Sequence, residues 1–532
     1  MEVLTILMLG IMDWILIHSV QYYIKGRKTM GKVSWSRLTF LLMLIFVLAL
    51  AACGNGGSSE EETTEESTEE SDTATEETEE STEESTEESE ETTEESEESE
   101  ESTEESDTAT EETEESTEES TEESEETTEE SEESEESTEE SDESADGESE
   151  SAETEPKVTD FEPAFPEQTR APEVETEAEL DVEVVAEGLG VPWGMVEFDT
   201  NRLLVTQRDS AELLIVNLED GSVSDPIEGT PEVNSEDQGG LLDVTVAPDF
   251  DESRTVFMTF SQDIEGGTVT AVGKGMLSED ETALEDFEVI FQATPAYEGT
   301  LHYGGRIIFD DDGNLFLTTG ERSDDPIRER AQDLDAYLGK VIHITPDGEP
   351  VESNPFIEDE DALDGIYSYG HRNIQGVDFH PETGDLWIVE FGPQAGDELN
   401  IIEPGNNYGW PIVSYGIEYS GELINEGVSE HEAQGFVEPR YYWDPTSAPS
   451  GMSFYDNDAI SEWENNLFIG GLAPNYIVRV VIEDDTIVGE ERLLTEEGER
   501  FRDILVTEDG ALIASTDGGK IYRITEAGEG SE

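Results

Sequence analysis

From about Glu175 onward, short apolar runs of Val, Ile, Leu and Phe alternate with turns of Asp, Gly, Asn and Pro, and few stretches carry a helical period. Such runs, bounded by turn formers, predict β-strands. One unit recurs: a polar turn, an apolar strand, then a small or polar loop. It stands at 198–206, 248–259, 309–320, 380–389, 464–469 and 507–514. Six divergent copies, roughly 45–85 residues apart, predict an all-β chain folded as a six-bladed β-propeller over residues 175–526, with a short tail at 527–532. A double β-sandwich is the competing arrangement of the same strands. A propeller differs in carrying loops from distant parts of the chain to one channel mouth.

The N-terminal third has another pattern. Residues 54–174 are mostly Glu, Ser and Thr, and the 35-residue block 67–101 recurs unchanged at 102–136. Sequence of this kind has no core to bury and repels itself, which predicts a disordered acidic spacer. Ahead of it, Lys32 and Arg37 precede the apolar run Leu38–Leu50, and Leu50-Ala-Ala-Cys53 resembles a lipobox. Residues 30–53 therefore read as a lipoprotein signal peptide, with Cys53 as the lipidation site. The expectation is an extracytoplasmic protein held at the cell surface by a lipid anchor in the cell membrane. Residues 1–29 read as an upstream segment outside the true start at Met30. Cys53 is the single cysteine, so an intrachain disulfide is excluded.

Charge sharpens this picture. The 532 residues hold 138 acidic and 24 basic side chains, a formal net charge of −114. After residue 156 the lysines are Lys157, Lys274, Lys340 and Lys520. Self-repulsion on this scale is tolerable where salt screens it, so the composition suggests a halophilic setting. Nucleic acid is excluded as a partner, because the sequence offers no basic patch to neutralise phosphates.

Against that background the motifs at the ends of the predicted blade strands stand out, four before a strand and Gly320-Glu321-Arg322 closing one. They are Gln238-Gly-Gly-Leu-Leu-Asp243, His302-Tyr-Gly-Gly-Arg306, Gly320-Glu321-Arg322, Tyr369-Gly-His-Arg372-Asn373 and Arg500-Phe-Arg502-Asp503. Polar groups at equivalent blade ends would meet at the channel mouth. His302 has the chemistry of a general base near neutrality. Arg500 and Arg502 alternate along a strand and so share a face. Arg372 and Asn373 offer planar donors to carboxylates and carbonyls. Asp397-Glu398 is a candidate Ca²⁺ pair. Each also has a structural reading: a hydrogen-bonding histidine, arginines in ordinary salt bridges, and two more solvated acids.

As an ordered set, QGGLLDV, HYGGR, TTGER, AQDLDAYLGKV, YGHRNIQG, EFGPQAGDELN, PGNNYGWP, APSGM and RFRDI resemble the glucose/sorbosone dehydrogenase family over about residues 180–525. The resemblance implies a six-bladed propeller that binds pyrroloquinoline quinone (PQQ) and Ca²⁺ and oxidises an aldose sugar at C1 to the lactone, with electrons passed to an external acceptor. It implies His302 as the base, Glu321 as the residue that orients it, and Arg372 as a stabiliser of charge on the quinone oxygens. Gln238, Arg372, Asn373, Arg500 and Arg502 match cofactor contacts. Gly392 and Pro393 match the turn that holds the PQQ-bound Ca²⁺, and Glu398 and Tyr408 a second, structural Ca²⁺ site. This chain departs from the family pattern twice. Glu321 stands where Asp is common, and Ala473 stands near a position where some members place a lysine. Two other functions use such a scaffold: a Ca²⁺-dependent lactonase-type hydrolase and a non-catalytic binding propeller. Neither needs paired arginines.

Overall fold

The computed structural model describes residues 151–528, apart from 154, 155, 160 and 474. The upstream segment, the signal peptide with Cys53, and the repeats lie outside the described residues. The described chain forms six antiparallel sheets, each a simple meander. Blade 1 is Pro192–Asp199, Arg202–Gln207 and Glu212–Asn217; blade 2 is Leu241–Val246, Thr255–Ile264, Gly267–Leu277 and Leu284–Gln292. Blade 3 is Gly304–Phe309, Leu315–Thr319, Lys340–Ile344 and Ile366–Tyr369; blade 4 is Ile374–Phe379, Leu386–Glu390, Asp397–Ile402 and Tyr441–Trp443. Blade 5 is Pro449–Phe454, Leu467–Gly471, Ile477–Glu483 and Thr486–Leu493. Blade 6 is Phe501–Val506, Leu512–Thr516 and Ile521–Glu526, completed by Leu180–Ala186 from the opposite end of the domain. The first strands of successive blades touch all the way round, from blade 1 through blade 6 and back. The six-bladed propeller is thus as expected, and the sandwich is excluded.

The six sequence repeats are the hairpins between the first and second strands of the six blades. Each of these turns holds one residue at positive φ: Asn201, Arg254, Gly313, Gly384, Asn465 and Gly510. That geometry favours Gly and Asn, which is why the turns were visible in the sequence. The second strands are apolar on both faces because each blade is covered on both sides. Six hydrophobic cores result, one at each interface between neighbouring blades. Leu204, Leu241 and Met258 seal blade 1 to blade 2; Met195, Leu203 and Ile513 seal blade 6 to blade 1.

One boundary differs from the sequence reading. The last part of the expected spacer, up to residue 174, packs against blades 4 and 5. Thr159 N–H donates to Asp444 Oδ2 at 2.8 Å, Gln168 Nε2 to the Pro439 carbonyl at 2.9 Å, and Val174 N–H to the Glu490 carbonyl at 3.0 Å. The Tyr441 hydroxyl donates to buried Glu153 at 2.7 Å. Backbone pairing and side-chain capture order this strap. Composition does not report either.

Candidate functional site

The loops that enter the first strands converge on a cavity of about 400 Å³ at one end of the channel. Seven residues expected at a site line it together: Gln238, His302, Arg372, Gly392, Pro393, Arg500 and Arg502. Arg208, Trp193, Asp397 and Thr446 line it as well. Among its lining residues Asp397 is the one carboxylate, against four arginines. In a chain with 138 acidic and 24 basic residues, that inversion of charge marks a place for an anion.

His302 is held in an uncommon backbone conformation, φ 48°. Its N–H donates to Gln238 Oε1 at 2.9 Å, which fixes the loop. Ring Nδ1 lies 2.7 Å from Glu321 Oε2. A carboxylate can only accept, so Nδ1 carries the hydrogen and Nε2, on the opposite side of the ring, is the basic nitrogen. Burial pushes the imidazole pKa down, against the pull of Glu321, while Arg372 and Arg322 push the same way as burial. Burial works to raise the Glu321 carboxyl, but His302 and Arg372 hold it below its usual range. The longer side chain at 321 therefore reaches the histidine. Glu321 N–H also donates to the Arg372 carbonyl at 2.9 Å, tying the base to the next motif. Arg322 anchors the loop behind His302 by donating to the Leu301 carbonyl at 3.0 Å and the Thr268 carbonyl at 2.8 Å.

Arg372 donates from Nη1 to the carbonyls of Phe391 at 3.1 Å and Gly392 at 2.9 Å, with its guanidinium 5.2 Å from the Trp410 ring. Its Nε is buried without a hydrogen-bond partner. Asn373 does not line the cavity. Its Oδ1 accepts from Gly304 N–H at 3.1 Å and so fixes the turn after His302 from beneath. Gly320 is required here, since a Cβ would sit 2.2 Å from the His302 carbonyl.

Asp397 brackets the Gly392 turn. It accepts from Gly392 N–H, Ser447 N–H and Ala448 N–H, each at 2.8 Å, and from the Thr446 hydroxyl. Burial raises its pKa and these bonds oppose the rise. These bonds turn it toward the loop backbones, and adjacent strand residues point to opposite faces, so the reading of Asp397-Glu398 as a Ca²⁺ pair is corrected. Glu398 instead lines an adjoining small hollow with Tyr408 and Glu390, which shares Arg372, Phe391 and Gly392 with the cavity. Burial, with Glu390 nearby, raises the Glu398 carboxyl well above its usual range. Asn400 Oδ1 and His431 Nε2, both buried near these residues, lack hydrogen-bond partners, although His431 Nε2 lies 3.7 Å from Glu398. The hollow brings together two buried acids, Glu390 and Glu398, with the Arg372 guanidinium also in its wall. Among the described residues, no group of three or more His, Cys, Asp or Glu is arranged to hold a metal.

Arg500 and Arg502 do share a face. Both reach Asp517, at 2.8 Å from each Nε, so one carboxylate serves two guanidinium groups. Arg502 is buried, and that burial lowers its pKa. The neighbouring wall contains Leu472 and Ala448, with no lysine at or beside Ala473. The sequence reading missed Arg208, Asp397 as a bracket, and Asp517. Asp517 was hidden among 138 acids. Arg208 had a cue, as one of few cations, directly after the second strand of blade 1.

Fold and cavity together define a propeller enzyme with an arginine-rich mouth beside an imidazole base. The comparisons identify the family. Residues 189–523 match the Glucose / Sorbosone dehydrogenase family, and the chain belongs to it, as an oxidoreductase. It is 39% identical over 352 residues to the aldose sugar dehydrogenase YliI of Escherichia coli, covering 65% of this chain and 93% of that protein. A crystal structure of a glucose dehydrogenase superposes with TM-score 0.62 at 40% identity, covering 65% of this chain and 99% of the other. The PQQ-bound form of an aldose sugar dehydrogenase from Streptomyces coelicolor superposes with TM-score 0.54 at 28% identity, covering 66% and 99%. A second family, the transmembrane domain of vacuolar membrane proteases, matches residues 1–163, most of them outside the described residues. No helix among the described residues is long and apolar enough to cross a membrane.

Proposed function

We propose that this chain oxidises aldose sugars at C1 to the lactone, using PQQ and Ca²⁺, and passes the electrons to an external acceptor. The observation that carries this reading is the cavity with four arginines and one occupied carboxylate beside a buried, carboxylate-oriented histidine. PQQ is a planar tricarboxylate, and the donor set fits it: guanidinium groups for the carboxylates, and at Arg372 a donor for the quinone oxygens. A PQQ-bound relative shares the fold.

When bound, PQQ supplies the two-electron acceptor for the hydride that leaves C1. The chain's own residues do the rest. His302 Nε2 takes the proton of the C1 hydroxyl, and Glu321 stabilises the imidazolium that forms. Arg500 and Arg502 hold the cofactor's carboxylates. Gln238 fixes the backbone of His302, and Asn373 fixes the turn that follows it. Gly392 and Pro393 would offer carbonyl oxygens to Ca²⁺, whose contribution is Lewis-acid polarisation. Glu398 and the Tyr408 segment would hold a second, structural Ca²⁺. A neighbouring hollow of about 540 Å³ shares Arg372, Pro393 and Tyr419 with the cavity and adds Asp324, Glu418 and Trp410. Carboxylates and an aromatic face there suit sugar hydroxyls. Lipidation at Cys53 would hold the enzyme at the outer membrane face, within reach of a membrane acceptor.

The test is reconstitution of the apoprotein with PQQ and Ca²⁺ in high salt. Sugar-dependent dye reduction, lost in His302→Ala, is the expected result. Lactone hydrolysis without PQQ, and no dye reduction with it, would instead identify a hydrolase.

A further inference from the structure

The arginine pair of blade 6 has a neighbour that no motif announced. Arg208 follows the second strand of blade 1 and lines the same cavity. Its backbone is fixed on both sides: its N–H donates to the Val191 carbonyl at 2.9 Å, and its carbonyl accepts from Leu241 N–H at 3.0 Å. Its side-chain stem lies across Gly240. That glycine sits at φ +138°, and a Cβ there would lie 2.1 Å from the Arg208 carbonyl and 2.7 Å from its Cγ. The second glycine of the Gln238 motif, Gly240, therefore clears a bed for this arginine.

The partner it has does not account for such a bed. Nε meets Asp209 at 2.7 Å, but the Asp209 side chain is 54% exposed. Exposed pairs of this kind contribute about 0–1 kcal/mol. Arg208 is also close enough to Arg502 for the two charges to interact. Asp517 already bridges Arg500 and Arg502. Three cations thus line a cavity whose lone lining acid, Asp397, is already engaged by the Gly392, Ser447 and Ala448 backbones.

We propose that Arg208 is a third anchor for the carboxylates of the bound quinone, on the opposite flank of the Arg500–Arg502 pair from Leu472 and Ala473. The assignment rests on the PQQ reading above. It gives the chain a third cation although position 473 is alanine.

Equilibrium binding of PQQ tests it without turnover. Apoprotein in high salt with Ca²⁺ is titrated with PQQ, following quenching of tryptophan fluorescence, with Trp193 in the cavity wall as reporter. Arg208→Gln should raise Kd about ten-fold or more, the range expected for a charge-assisted hydrogen bond. Arg208→Lys should recover part of the loss, and both apo variants should melt like the wild type. A Kd for Arg208→Gln within about two-fold of wild type would overturn the assignment, as would a lysine variant no better than the glutamine one. Failure of the wild-type protein to bind PQQ saturably would remove the cofactor reading itself, a separate and distinguishable result.

Discussion

The two ends of the central channel are built from the same six strands, yet they handle charge in opposite ways. At the end remote from His302, a hollow of about 190 Å³ is lined by Asp243, Arg306, Asp378 and Asp503 among apolar residues. Arg306 Nη1 lies 2.8 Å from Asp503 and 3.3 Å from Asp243, and its guanidinium sits 4.1 Å from the Trp193 ring. Its Nε donates to the Gln375 carbonyl at 2.7 Å. Asp243 also accepts from Ile307 N–H at 3.0 Å and Asp503 from Met195 N–H at 2.9 Å. Two acids face one cation, and burial pushes both carboxyls up. At the mouth, four arginines line a cavity with one carboxylate. The contrast is instructive. A surplus of buried acid is relieved by taking up a proton. Asp517 and the exposed Asp209 offset part of the arginine charge at the mouth; the remainder has no such relief, because guanidinium does not deprotonate in proteins. The remote end is therefore complete within the chain, whereas the mouth calls for an external anion.

Substitutions at the two ends should separate activity from stability. His302→Ala at the mouth should lower sugar-dependent dye reduction by about 10²–10⁴-fold, with little change in melting temperature. Arg306→Leu should do the reverse first. Removing the cation strands two buried carboxyls, and denaturant titration should show a loss of about 3–5 kcal/mol. If Arg306→Leu melted like wild type, the account of the remote end would be wrong.

Glu321→Gln should cost activity by roughly 10- to 100-fold and also move its pH dependence. In the wild type, activity should persist below the ordinary histidine value of 6.5, because burial keeps His302 neutral there. Glu321 raises the His302 pKa, so its removal should move the acid limb of kcat/KM to still lower pH. A limb that did not move would show that Glu321 is not the histidine's partner.

The smallest effect is expected at Asp378, whose carboxyl burial pushes up to about 7. A carboxyl raised in the folded state binds its proton more tightly there, so folding stability is greatest at low pH. That contribution is lost as pH rises from the unfolded value near 3.8 through about 7. Asp378→Asn, which stays neutral, should narrow the gap in Tm between pH 5 and pH 8 by a few degrees.

Much of this was legible in the chain. The six hairpins announced themselves because their turns need a positive-φ residue and their second strands are apolar on both faces. The motifs before the first strands gave His302, Gln238, Arg372, Arg500 and Arg502, since a propeller brings equivalent strand starts to one mouth. What stayed hidden was set by tertiary contact. Asp397 looked like a metal ligand beside Glu398, but alternation along the strand sends it to the Gly392 and Ser447 backbones. Asn373 reads as a cofactor contact, and the sequence does not report that its Oδ1 supports the Gly304 backbone. The strap up to residue 174 is poorer in Glu, Ser and Thr than the repeats and carries Phe161 and Phe165, but its order comes from its register with Glu490 and Asp444. Arg208 carried no motif; the glycine beside it in space, Gly240, held the clue.

The most direct test of the central claim is the absorption spectrum of the protein reconstituted with PQQ and Ca²⁺, desalted, and then mixed with glucose. The account predicts retained quinone absorbance that converts to that of the reduced form on adding the sugar, with His302→Ala retaining the quinone but failing to reduce it. Quinone that washes away on desalting, or a spectrum unmoved by any aldose, would contradict it.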